Sequence, residues 1–117
     1  MRTINIFSIL TALLVTLIVS NAFAVEGSGN IVTEKRAVSG FDQVSMHISG
    51  VLYIIQGETE SLEIEADDNI LPRIKTTVKG NTLTVDKKWF TSLNPSQPIV
   101  YRLYVKSLAS LAVSGSV

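Results

Sequence analysis

The sequence predicts an all-β fold, and three observations carry that prediction. Apolar and polar residues alternate with period two over most of the chain, glycine-containing turn dipeptides recur at short intervals, and no stretch keeps a helical period over ten residues. Ten basic side chains balance ten acidic ones in 117 residues, so there is no basic excess to attract nucleic acid or another polyanion. No cysteine is present, which excludes a disulfide scaffold, thiolate metal sites and a thiol nucleophile.

Residues 1–24 read as a secretory signal: Arg2 and the amine in front, an apolar stretch from Ile4 to Val19, and small residues at Ala22 and Ala24. Cleavage is expected after Ala24, leaving 93 residues with nine basic and ten acidic side chains. An uncleaved anchor is the competing reading, but Asn5, Ser8, Thr11, Thr16, Ser20 and Asn21 dilute the apolar run. Residues 25–30, VEGSGN, are expected to trail as a flexible lead. Strands with one buried face follow around Val44-Met46-Ile48, Leu62-Ile64-Ala66, Ile74-Thr76-Val78, Leu83-Val85 and Ile99-Tyr101-Leu103-Val105. Val51 to Ile55, VLYII, is apolar on both faces and is predicted to be a central strand covered on both sides. Lys79-Gly80-Asn81 predicts a tight hairpin. Asp67 to Arg73 predicts the one helical turn, with Asp68 as its N-cap and Pro72 restricting Leu71.

Val38-Ser39-Gly40, Ile48-Ser49-Gly50 and Val113-Ser114-Gly115 repeat a branched apolar residue, a serine and a glycine. A recurring corner of small residues is what a coiled, solenoid-like β architecture requires. Ser-Gly is also a common turn dipeptide, so both readings stay open.

Residues 27–85 resemble the head GIN domain family, often labelled a putative autotransporter adhesin head domain. The resemblance rests on Gly29-Asn30-Ile31, Val38-Ser39-Gly40-Phe41-Asp42, Ser49-Gly50, Tyr53-Ile54 with Gln56-Gly57, Glu65-Ala66-Asp67-Asp68-Asn69 and Leu71-Pro72, and continues through Leu108 to Gly115. It implies a right-handed β-helix-like fold in an exported bacterial protein, in the periplasm or on the outer surface of a Gram-negative cell, and it carries no established catalytic residues. Members continue past the corner matching Ser114-Gly115 with a second series of strands. Residues 31–117 are therefore expected to form a partial domain, truncated on its C-terminal side, whose last strand edge pairs with a partner or with another copy.

Few residues point to chemistry. Asp67 and Asp68, with Glu65 and Asn69 nearby, are the densest set of oxygen ligands and weak metal candidates; they lack the spaced ligands of a calcium loop. The same carboxylates would have to carry any hydrolase activity. His47 falls on a polar strand face, and Glu58, Glu60, Glu63 and Glu65 read as the solvated side of a strand. Lys88, Trp89 and Phe90 are the candidate ligand-binding residues, because exposed rings beside hydrogen-bonding groups stack on sugar faces; packing of Trp89 over the core competes with this. Tyr53, Tyr101 and Tyr104 all read as strand residues, and only Tyr104 is expected to face outward. The expectation is a non-enzymatic, cofactor-free binding or scaffolding module at the cell envelope with a protein or glycan partner. The alternative is a carbohydrate or small-ligand binder using Trp89 and Phe90.

Overall fold

The computed structural model describes residues 24–88 and 91–113. The expected signal sequence up to Phe23, the Trp89-Phe90 pair and the last expected corner at Ser114-Gly115 lie outside them. Ten strands follow in order: β1 (Ala24–Glu26), β2 (Ile31–Arg36), β3 (Gln43–Met46), β4 (Val51–Gln56), β5 (Ser61–Asp67), β6 (Ile74–Lys79), β7 (Thr82–Lys87), β8 (Ser92–Asn94), β9 (Val100–Val105) and β10 (Ser110–Val113). One 3-10 turn, Leu71–Arg73, separates β5 from β6, so the all-β expectation holds. Asp68 does not cap that turn: its N-cap is Ile70, with no side-chain cap bond.

The strands form two four-stranded sheets, β2-β5-β9-β4 and β10-β3-β7-β6, and a two-stranded ladder of β1 with β8. β3 runs parallel to β7, and β4 runs parallel to β9. Since β3 leads into β4 and β7 leads through β8 into β9, two passes of the chain lie side by side in the same direction. The ladders β2-β5, β5-β9 and β6-β7 are antiparallel. These mixed, open sheets are not by themselves the all-parallel rungs of a β-helix.

Period-two alternation decides what is buried. Val44 and Met46 of β3 and Leu83 and Val85 of β7 turn inward from one sheet; Leu62, Ile64 and Ala66 of β5 and Tyr101, Leu103 and Val105 of β9 turn inward from the other. Ile70, Leu71 and Ile74 extend the core beneath the 3-10 turn. The expected hairpin is present: Gly80 and Asn81 connect Lys79 to its cross-strand partner Thr82.

Val51–Ile55 is the clear departure from expectation. Among the described residues β4 has β9 on one side only and is the edge strand of its sheet. Val51, Tyr53, Ile54 and Ile55 are 40%, 54%, 38% and 41% exposed. Full burial of a valine or isoleucine side chain contributes roughly 1.5–3 kcal/mol, and these positions forgo part of it. Tyr53 thus faces solvent, whereas Tyr101 is fully buried.

The corner into β4 shows why glycine recurs after serine. Gly50 has φ +148°, and a Cβ there would lie 2.5 Å from the Ile99 carbonyl oxygen and 2.7 Å from the Tyr101 ring. The backbone passes directly over that ring, so neither the dihedral nor the space admits a side chain. Gly40 has φ +75° but open space around it. Gly50→Ala is expected to cost about 2 kcal/mol or more, and Gly40→Ala nearer 1 kcal/mol, because only the first adds a collision to backbone strain. Thermal unfolding followed by circular dichroism checks this; equal melting temperatures for the two variants would contradict it.

Candidate functional site

The loops at one end of the strands converge on Asp67, the last residue of β5. Its carboxylate is fully buried. Oδ2 accepts the Gly29 N–H at 2.8 Å and the Ser96 hydroxyl at 2.6 Å, and Oδ1 accepts the Ser96 N–H at 3.0 Å. A Cβ on Gly27 would sit 2.6 Å from this carboxylate, so only glycine lets the incoming chain pass so close. The Ser96 hydroxyl bond, against the opposing effect of burial and helped by the Gly29 and Ser96 N–H groups, holds Asp67 below its ordinary value of 3.8. Asp68 is also lowered, first by the Ser28 hydroxyl and then by the Asn30 side-chain amide. The Asn30 amide donates to Asp68 Oδ2 at 3.0 Å, and Asn69 receives the Ser28 N–H at 2.9 Å and donates to the Glu26 carbonyl at 2.7 Å.

Residues 25–30, expected as a flexible lead, are therefore held along their length. β1 pairs with β8 in parallel, and Gly27 donates to the Asn94 carbonyl at 2.9 Å. The oxygens of Asp67 and Asp68 are engaged by these donors, and the two residues act as a knot joining three segments. Among the described residues no group of three or more His, Asp or Glu side chains is placed to hold a metal ion.

The remaining expected site residues are scattered. Lys88 is exposed, and its N–H donates to the Arg73 carbonyl at 3.0 Å; Trp89 and Phe90 lie outside the described residues. His47 is exposed, with Nε2 2.7 Å from the Ser45 hydroxyl. Alternation along the strand brings these two together, a pairing that spacing i, i+2 could have signalled. Glu65 on the outer face of β5 pairs with Arg102 at 3.2 Å.

The feature that sequence reasoning missed is the bare β4 edge. At its start, the Ser49–Val51 corner and the loop from Asn94 to Ile99 enclose an open groove of about 700 Å³. The opposite edge of the same sheet, β2, is closed by charge. Arg36 bonds Glu34 at 2.6 Å and donates to the carbonyls of Ile74 at 2.6 Å and Leu71 at 2.8 Å. β4 has no charged side chain at all. Edge strands left free of charge invite pairing with another strand, and charge on β2 discourages it. Among the described residues, the two edges of this sheet therefore differ in kind: β2 is charged and β4 is apolar.

A family model described as "putative auto-transporter adhesin, head GIN domain" matches residues 40–117. Among solved structures, a putative adhesin from Bacteroides fragilis is 22% identical with a TM-score of 0.71, over 78% of this chain and 43% of that one. A putative lipid binding protein from Parabacteroides distasonis is 23% identical with a TM-score of 0.67, over 79% of this chain and 42% of that one. A putative adhesin from Parabacteroides merdae is 26% identical with a TM-score of 0.67, over 80% and 39%. The chain spans about two fifths of the length of these relatives. No curated protein matches it.

The lowered pKa of Asp67 gives a signed expectation for pH. An unfolded chain takes up this proton at higher pH than the folded one, so the stability contributed by the ionised carboxylate is complete above 3.8 and is lost as pH falls through the lowered folded value. Melting temperature is expected to fall in that acid range, and Asp67→Asn to weaken the acid dependence while lowering stability at neutral pH. An unchanged melting temperature for Asp67→Asn at pH 7 would contradict the knot.

Proposed function

This chain belongs to the head GIN domain family, and on that premise we propose that it is an exported, non-enzymatic binding or scaffolding module of the bacterial cell envelope. The observation that carries the reading is the β4 edge: five consecutive apolar residues, Val51 to Ile55, four of them large and exposed, beside a sheet whose other edge is guarded by Glu34, Lys35 and Arg36. Such a surface recognises by strand addition and apolar contact rather than by chemistry. Export follows from the three-part N-terminal signal, with the periplasm or outer surface of a Gram-negative cell as destination. The side-by-side passes β3-β4 and β7-β8-β9, with Gly40 and Gly50 at their corners, support reading the fold as a right-handed coil whose turns are irregular.

A second reading places carbohydrate or a small ligand at Lys88, Trp89 and Phe90. The open groove supports it, since its loop, Asn94 to Ile99, follows these residues in the chain. Glycan-array binding that disappears in Trp89→Ala is its expected signature; absence of binding by the parent chain would sink it.

Two measurements test the main reading. The full chain expressed in a Gram-negative host is expected to be recovered outside the cytoplasm with Val25 as its first residue; an intact Met1 terminus would refute export by cleavage. Purified exported chain is expected to be retained on outer-membrane fragments, and Tyr53→Lys with Ile55→Lys to reduce retention about tenfold, because two charges on an apolar edge prevent strand addition. Undiminished retention would remove β4 as the binding surface.

A further inference from the structure

The sheet β2-β5-β9-β4 has an outer face as well as edges, and alternation settles which side chains stand on it. Leu62, Ile64, Tyr101 and Leu103 point into the core, so Glu63, Glu65, Val100, Arg102 and Tyr104 point away from it. On β4, Val51, Tyr53 and Ile55 stand level with Val100, Arg102 and Tyr104 and share that face, whatever lies beside the strand. The register sets Lys35, Glu63, Arg102 and Tyr53 in one row across all four strands, with Tyr104 one pleat further along β9. Strands about 4.8 Å apart and alternate residues about 6.6 Å apart put the Cα atoms of Tyr53 and Tyr104 about 8 Å from each other, with Arg102 next to both. Tyr53 is 54% exposed, and Tyr104 is partly so. Arg102 is held by Glu65 at 3.2 Å. The Tyr104 hydroxyl donates to Glu63, and that bond, ahead of burial and the Glu63 charge, raises its pKa above the ordinary value against the pull of Arg102. Hydrogen-bonding groups already steadied by a neighbour thus stand beside two rings. The outer face of the other sheet differs: Thr77, Thr84 and Ser45 run in a row across it, and it has no aromatic ring among the described residues.

The charges on this face cancel, Lys35 and Arg102 against Glu63 and Glu65, and that decides what it can receive. An anionic polymer or lipid headgroup gains nothing from a neutral face and meets two carboxylates on it. An apolar protein surface would have to dry the Arg102–Glu65 pair and the Glu63 carboxylate, a desolvation that the pair's own attraction does not offset. A sugar ring suits both halves of the face. Its C–H side lies flat on a tyrosine ring, and its hydroxyls bond carboxylate and guanidinium in place of water. We propose that this face binds a neutral glycan, with Tyr53 and Tyr104 stacking on sugar rings while Arg102, Glu63 and Glu65 hydrogen-bond their hydroxyls. The proposal rests on the reading of the chain as a binding module and names the ligand class; it uses neither the backbone edge of β4 nor Trp89.

An array of neutral polysaccharides (mannan, galactan and glucans) beside the acidic polymers alginate and polygalacturonate supplies the probes. The purified full chain is expected to bind at least one neutral polymer and neither acidic one. Its affinity is expected to stay within about twofold as salt is raised, because a neutral ligand releases no counterions. Tyr53→Ala, Tyr104→Ala and Arg102→Ala are each expected to weaken binding by about tenfold or more, with an unchanged far-ultraviolet spectrum. Tyr104→Phe keeps the ring and is expected to lose less than Tyr104→Ala; Thr77→Ala, on the other sheet's outer face, leaves binding unchanged. No binding to any neutral polymer, preference for the acidic ones, or binding indifferent to both tyrosine-to-alanine substitutions overturns the proposal. Binding lost in Trp89→Ala but kept in Tyr53→Ala and Tyr104→Ala assigns the glycan to the other candidate residues and overturns this face. Retention on outer-membrane fragments that Tyr53→Ala abolishes, with no glycan bound, keeps the binding module and loses the ligand class. Glycan binding through Tyr53 and Tyr104 by a chain recovered only from the cytoplasm keeps the face and loses the envelope reading.

Discussion

A carboxylate without solvent exposure must be given back the hydrogen bonds that water would have supplied, and at Asp67 the fold is arranged to do so. Two backbone N–H groups and one hydroxyl reach it from Gly29 and Ser96. These donors come from the segment before β2 and from the loop between β8 and β9. Satisfying one charge therefore fixes the entry of the chain, the end of β5 and the return into β9. Gly27 is drawn in close enough to leave no room for a Cβ, and the β1-β8 ladder is held beside the knot. A small β fold without cysteine gains from such a tie, since its core is small.

The second organising constraint is the difference between the two ends of the stack. Arg36 serves as a plug, its guanidinium spanning Glu34 and two backbone carbonyls beneath the 3-10 turn. Such contacts satisfy orphan carbonyls and place charge on an edge that would otherwise recruit strands. At the far end, among the described residues, β4 and β10 carry mostly apolar side chains and are the outermost strands of their sheets. Among the described residues, charge is thus concentrated at one end of the stack and bare apolar strands at the other.

Much of the fold was legible in the residues. Alternation at Val44-Met46, Leu62-Ile64-Ala66, Leu83-Val85 and Tyr101-Leu103-Val105 identified both the strands and their buried faces, since a strand's side-chain period is fixed by its backbone. The hairpin at Gly80-Asn81 and the glycine corners were legible for the same local reason. The site was legible only in part. Asp67 and Asp68 stood out as a cluster of oxygens, but their partners Ser28, Gly29, Asn30 and Ser96 lie 29 to 40 residues away, where spacing carries no signal. The VEGSGN lead looked unstructured because its order comes from distant partners, the β8 strand and the Asp67 and Asp68 carboxylates.

What the sequence determined alone was the class of structure: period two makes strands, small residues make corners, and the chain has neither a basic excess nor a cysteine. Only the tertiary structure decided which strand would be last. An apolar run such as Val51–Ile55 records that both of its faces and its edge gain from being covered. It does not record what covers them, because neighbours in a sheet are chosen by the path of the chain and not by the strand itself. Here that path lays β4 against β9 and, among the described residues, places no strand on its other side.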